Sequence, residues 1–537
     1  MGTIGPPPAP LSRAMPGRGR PRSHTPRVGA LGLGLVLALT AALAIVVPAG
    51  RAAAGTSPLV SFTVQSRLVY PATGSSPAAA ARINLVVSRP AMGQAQVVTW
   101  DGQFVREILH PSRRPTGTTR LTWDGAGPDG SPAADGPYRV RLTLTDADGV
   151  VTTTEARVSK VSAPAYPLAP SAVTVFLDPG HGGPETGTTG VLPDGSTLRE
   201  SDVDLDIALR LAAMLRDAGI RVSMSRTTDA AANRAGIDRN HDGRVDGYDE
   251  FLARTDAANA VRADLYVAVH NNWLPREEGR TEAFFCGRGC SWPQASKSLA
   301  GDILQAHVAR LAPLQTDTWQ LTVGDPAIPE AVRNPTDDYI HFAYATLVTG
   351  RHFYVLGPYD ATFRPRPIEM PGALVESLAF SNPHELQLLA EGSTRTLLAS
   401  AYYDGITAFL ADRPYALRLD PAGVPAAAVS TARVGVRTTV RVRVTNNGTR
   451  PIPAGLRISI GSVPLAVPFD GSPSRGRQIG TAILPTAIAA GRSATVAVAV
   501  IPVSAGRQTW KVAGVQAGIW TASRGIPFLQ FRVTVAR

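Results

Sequence analysis

The spacing of apolar residues changes twice along this chain of 537 residues, and those two changes bound what it can fold into. Residues 58–160 alternate apolar and polar side chains in SFTVQSRLVY, ARINLVVS, AQVVTWDG, YRVRLTLTD and TTTEARVS. Period two marks half-buried strands. Clusters of Gly, Pro, Asp and Ser separate the runs at the spacing of a β-sandwich. Residues 172–412 lose the alternation. Residues 173–177 and 265–269 are continuous apolar runs, and residues 202–218 place Val203, Ile207, Leu211 and Leu215 at helical spacing. Residues 221–225 give another strand, and 254–263, 298–311 and 385–410 give further helices. Buried strands alternating with helices predict an α/β domain: a mostly parallel sheet with helices on both faces. Residues 413–537 return to period two in TTVRVRVTNNG, LRISIG, ATVAVAVIPV and PFLQFRVTVAR, which predicts a second sandwich. The expected chain is multidomain, with an α/β domain at 172–412 between all-β domains at 58–160 and 413–537.

Residues 1–54 precede these domains and read as an export segment. Arg13, Arg18, Arg20, Arg22 and Arg27 are followed by an uncharged run over 28–50 and then by Ala52, Ala53 and Ala54. A positive region, an apolar region and a small-residue site are the parts of a secretory signal. The uncharged run is also long enough to stay in a bilayer as an anchor. Either reading puts the rest of the chain outside the cytoplasm, secreted or attached to the cell wall. Contact with a membrane is expected only through this segment if it is not cleaved. Charge is divided as well. Residues 413–537 hold 16 Lys+Arg against Asp420 and Asp470, so a net charge of +11 leaves the middle of the chain acidic. A basic tail suits a polyanion. No nucleic acid is expected, because no recognition motif or aromatic platform accompanies the charge.

Candidate chemistry falls at strand ends. VTVFLDPG runs into His181-Gly182-Gly183, LRE brings Glu200 to the start of a helix, and DLYVAV runs into His270-Asn271. Carboxyl ends of strands are where open α/β sheets build their sites. Two imidazoles and a carboxylate are a ligand set for catalytic zinc that leaves a position for water. The glycines around His181 keep the turn free of side-chain bulk.

Four blocks, DPGHGG, RESDVDL, VAVHNN and VESLAFSNPHE, resemble in order those of the zinc-dependent N-acetylmuramoyl-L-alanine amidases of the type-3 family. The resemblance spans 172–412. It implies hydrolysis of the amide between N-acetylmuramic acid and L-alanine of peptidoglycan. It also implies His181, Glu200 and His270 as zinc ligands and Glu376 as the catalytic glutamate. Asp178 and Asn271 adjoin ligands and are expected to orient them. Two departures are visible. Ala268 stands where the family has Ser, and Glu376-Ser377-Leu378-Ala379-Phe380 has one residue more than Glu-Thr-Gly-Phe. In the first all-β domain, TWDG at 99–102 and 122–125, followed by DGPYRVRL, resembles the Ig-like domain of flagellar hook-capping proteins. Both flanking sandwiches are expected to be Ig-like. The rival readings are another zinc peptidase or amidase acting on wall peptides, and a non-catalytic wall-binding protein.

Two further signals lie inside 172–412. Asp238, Asn240, Asp242, Arg244, Asp246 and Asp249 follow the spacing of an EF-hand loop with Gly243 at position six, which predicts calcium. Arg244 would ligate through its carbonyl. Cys286 and Cys290, the two cysteines of the chain, are expected to form a disulfide in an exported protein.

Overall fold

The computed structural model describes residues 56–70, 79–162, 173–274, 277–285, 293–321, 355–356, 368–411, 417–422, 432–446, 451–463, 477–516, 519–520 and 529–537. The export segment and the Cys286/Cys290 pair lie outside the described residues. Among the described residues, no helix is long and apolar enough to cross a membrane.

The α/β domain is built on strands β1 (Thr174–Pro179), β2 (Arg221–Met224), β3 (Leu265–Asn272), β4 (Glu282–Phe284) and β5 (Gly372–Ala379). They lie in the order β2-β1-β3-β5-β4. The first four of that order run parallel and β4 closes one edge antiparallel. Helices are α1 (Glu200–Asp217), α2 (Gly247–Ala260), α3 (Pro293–Leu311), α4 (Pro383–Ala390) and α5 (Gly392–Ala411). Successive strand residues face opposite sides. Val175, Leu177, Val267, Val269 and Val375 therefore pack against α1, α3 and α5. Phe176, Tyr266, Ala268 and Leu374 pack on the other side against Ala258 of α2 and Val355, Leu356, Ile368 and Met370. The sequence expects one helix over 385–410. The structure has two, because Glu391 turns to an extended backbone before Gly392.

Residues 58–160 form a three-stranded and a five-stranded sheet around one apolar core that includes Ile83, Leu85, Val140 and Leu142. The WDG and DG-x-Y pieces of the sequence meet here. Trp123 packs edge-on against Tyr138 at 5.0 Å, Trp123 Nε1 donates to the Ala126 carbonyl and Tyr138 OH to the Ala134 carbonyl. Asp101, in the first TWDG turn, reaches out of this domain to Arg210 of α1 at 2.5 Å. Two more ionic clusters bind the same faces: Arg157 and Ser159 on Asp217, and Arg310 between Asp135 and Asp404. Arg210 is 1% exposed. Removing the partner of a buried charge is destabilising, so this domain is a fixed wall of the α/β domain rather than a loose spacer.

Residues 413–537 are all-β with a core of their own, from Leu417 and Val442 to Trp510 and Val533. A second sandwich is expected. The described strands fall into two hydrogen-bonded groups that share this core and are joined by the single pair Gly480 and Val500.

Candidate active site

His181, Glu200 and His270 meet at the carboxyl ends of β1 and β3. His181 Nε2 lies 3.0 Å from Glu200 Oε1, His270 Nδ1 lies 3.3 Å from the same oxygen, and the two imidazole rings are 4.9 Å apart. Asp204, one turn along α1 from Glu200, completes the group. One ligand atom from each of the four residues lies within 4.8 Å of the others. Two glycines make the approach possible. A Cβ at Gly180 would stand 2.3 Å from His270 Cε1, and one at Gly187 (φ 65°) would stand 2.6 Å from both Glu200 Oε2 and His181 Cδ2. His181 itself has φ 57°, in the left-handed region that few non-glycine residues adopt.

That turn is held by two buried arginines. Arg226 donates to the carbonyls of Pro179 (3.2 Å), Gly180 (2.6 Å) and Ser201 (2.7 Å). Arg254 donates to Asp178 Oδ1 (2.6 Å) and to the carbonyls of Pro179 (2.8 Å) and His181 (2.7 Å). Asp178 thus orients the turn through Arg254, and it also accepts from Tyr266 OH. Asn271 donates to Asp204 Oδ1 at 2.7 Å. Glu185 takes the second ring nitrogen of His181, the usual outer partner of a ligating imidazole. Glu185, Asp204 and Arg226 escape a reading of the sequence: each is an ordinary charged residue until the fold brings it to the turn.

The electrostatics suit a cation. Burial works to raise Glu200, but hydrogen bonds and charge from His181 and His270 win and bring it down to about 2. Burial depresses His270, ahead of the raising effect of Glu200, which favours the neutral ring that binds metal. His181 is raised to about 11 because Glu185 and Glu200 outweigh burial; a metal must displace that proton. Burial raises Asp204 and Glu376, with Glu200 adding to both. Asp204 Oδ2 and Glu376 Oε2 are buried without a hydrogen-bond partner. Orphaned buried oxygens beside two imidazoles and a carboxylate fit a divalent metal.

Glu376 lies on β5 directly across from His270 and, on its other side, across from Glu282. Ala268 sits in the apolar cluster with Phe176 and Tyr266. The six residues of the 238–249 loop stay apart from this centre. Asp238 accepts from the amides of Asp242 and Gly243, at 3.2 and 2.8 Å. Asp246 caps α2, and Asp249 accepts from the amides of Arg239, Asn240 and Asp246. Asn240 donates to Asp242, and Arg244 is exposed.

A mostly parallel sheet covered on both faces, with a metal-ready cluster at its carboxyl edge, defines an α/β domain with a candidate metal centre. Comparison with known proteins gives the family. Residues 175–408 match the family described as N-acetylmuramoyl-L-alanine amidase. Residues 73–148 match the FlgD Ig-like domain. The germination-specific N-acetylmuramoyl-L-alanine amidase of Bacillus subtilis is 25% identical over 247 residues, covering 45% of this chain and 82% of that protein. The amidase AmiA of Escherichia coli is 27% identical over 255 residues, covering 44% and 75%. The crystal structure of an N-acetylmuramoyl-L-alanine amidase from Clostridium difficile 630 aligns at 22% identity with a TM-score of 0.31, covering 45% of this chain and 98% of that one.

Proposed function

We propose that this chain is an exported wall hydrolase that cuts the amide between N-acetylmuramic acid and L-alanine of peptidoglycan, with zinc held by His181, Glu200 and His270. The observation that carries the reading is the convergence of those three side chains beside Glu376, whose buried Oε2 has no partner. Bound zinc would supply a Lewis acid for the amide carbonyl and a water made acidic enough to react near neutral pH. Glu376 Oε2 is the atom that takes the proton of the attacking water and returns it to the leaving nitrogen. Asn271 steadies Asp204 beside His270, and Glu185 steadies His181.

The test is mass spectrometry of peptidoglycan fragments, with and without a chelator. Fragments with free L-alanine amino termini are expected, lost on chelation and restored by zinc. Cleavage inside the stem peptide would establish the peptidase reading instead, and intact peptidoglycan the non-catalytic one. His181→Ala, Glu200→Ala or His270→Ala should each lower bound zinc, since three protein ligands leave little redundancy. Full stoichiometry in any one variant removes that residue from the set.

The 238–249 loop is read as a calcium site on the strength of its ligand spacing, bracing the segment that leads into Arg254. A ligand confined to the folded state adds roughly 2.7 kcal/mol at one hundred times its Kd. Calcium should therefore raise the Tm of the full chain, and Asp238→Ala with Asp242→Ala should abolish the rise while zinc content holds. A wild-type Tm indifferent to calcium refutes the site.

The tail is read as a holder for anionic wall polymers. Arg441 and Arg443 project from the exposed face of the strand Thr438–Asn446, whose Val440, Val442 and Val444 are buried, and exposed Arg437 stands just before it. Binding of the full chain to cell walls should weaken with salt, because exposed charges are screened over ~8 Å at physiological ionic strength. Replacing the three arginines with Gln should weaken it further. Binding that ignores both changes means the charge is incidental.

A further inference from the structure

β5 advances three residues, from Glu376 to Ala379, while β3 advances two, from His270 to Asn272. An extra residue on one strand is a β-bulge; it unpairs backbone groups and re-aims neighbouring side chains. The additional residue in the Glu376–Phe380 stretch thus takes the form of a bulge immediately after Glu376.

A buried polar chain lies behind it. Ser377, His307 and Tyr402 are all 0% exposed. His307 Nδ1 is 2.9 Å from the Ile303 carbonyl, which can only accept, so Nδ1 carries the proton. Burial lowers His307 to about 4, so the ring is neutral and its Nε2 is an acceptor. The partner of Nε2, 3.2 Å away, is Ser377 Oγ, which must therefore donate. Ser377 Oγ is left to accept from Tyr402 OH at 3.1 Å, and the single proton of that hydroxyl is shared with the Val375 carbonyl at 3.2 Å. Hydrogen bonds thus run from Tyr402 of α5 through Ser377 of β5 and His307 to Ile303 of α3. They tie β5 to α5 and α3 where the bulge interrupts its ladder with β3. Thr281 OH donates to the Ser377 carbonyl and ties the bulge on its other side.

We propose that Tyr402, Ser377 and His307 are positioning residues that lock the bulge and so fix Glu376 relative to His270. The inference rests on the amidase reading for the role of Glu376. A misplacement of about 1 Å at a reacting group can cost on the order of 10²-fold in rate.

Tyr402→Phe tests it, since it removes one oxygen and keeps the ring. kcat on peptidoglycan should fall roughly tenfold to one hundredfold, with KM and bound zinc unchanged. A kcat within about twofold of wild type overturns the proposal, whatever happens to Tm. If that variant does not fold, Ser377→Ala breaks the middle link and is judged by the same numbers. Amide hydrogen exchange of residues 372–380 in zinc-free protein gives a second readout. Faster exchange confined to that strand is expected, and unchanged exchange overturns the inference. Should the wild type cut no peptidoglycan, the amidase reading has failed, and exchange alone decides the positioning role.

Discussion

Glu376→Gln should keep its zinc and lose about 10²-fold or more of its amidase activity. The two side chains have the same shape, so the pairing of β5 with β3 and β4 is undisturbed. What is lost is the capacity of one oxygen to hold a proton and give it back. No stabilising contact stands in the way of this reading, because Oε2 makes no hydrogen bond in the folded chain. An amide in its place leaves the polarised carbonyl in position but gives the departing nitrogen no proton. The check is the rate at which L-alanine amino termini appear from purified peptidoglycan, measured beside zinc content. Glu200→Ala should do the opposite in kind, losing metal first and activity in consequence. A Glu376→Gln enzyme that turns over at wild-type rate would strip Glu376 of its assignment and leave Asp204 as the remaining buried carboxylate with an orphaned oxygen at the centre.

His181 and His270 were legible in the sequence because strand ends announce themselves. An apolar run that ends in polar residues or a glycine turn places them at the sheet edge, and both histidines follow such runs. Glu200 was legible from its place at a helix start. Asp204 was not: it lies among polar residues on an amphipathic helix, and only the fold turns its carboxylate, 0% exposed, toward His270. The arginines were obscured for the same reason. Arg226 and Arg254 belong to segments about 50 and 75 residues from the turn they staple, and charge alone says nothing about which carbonyls a guanidinium will find. The extra residue after Glu376 was visible as an irregularity, but only strand register shows that it becomes a bulge rather than a displaced catalytic group. In the tail, period two correctly marks strands such as Thr438–Asn446, yet alternation is identical whether strands lie in two sheets or one. Sheet connectivity is set by pairing between distant strands, which local periodicity does not encode.

Arg254→Met should cost about 3–5 kcal/mol, the range for removing one partner of a buried ion pair. Arg254 is 4% exposed and Asp178 2%, and their 2.6 Å contact is shared with the carbonyls of Pro179 and His181. Methionine fills much of the volume but leaves the Asp178 carboxylate in the interior with Tyr266 OH as its remaining donor. The His181 carbonyl loses its donor and adds its own desolvation, while that of Pro179 keeps Arg226. At roughly 2–4 °C per kcal/mol for a domain of this size, the Tm should drop by about 10 °C. Zinc affinity should fall with it, because the carbonyl of His181 is one of the groups released and its φ of 57° is maintained by that bond. Charge and packing can be separated by adding Asp178→Asn. If the stranded carboxylate is the main penalty, the double variant recovers part of the lost stability although it carries one more substitution. If the double variant is less stable than the single one, packing around the arginine stem dominates. A single variant that melts within about 1 kcal/mol of wild type would mean that the turn supports itself and that Arg254 is not its staple.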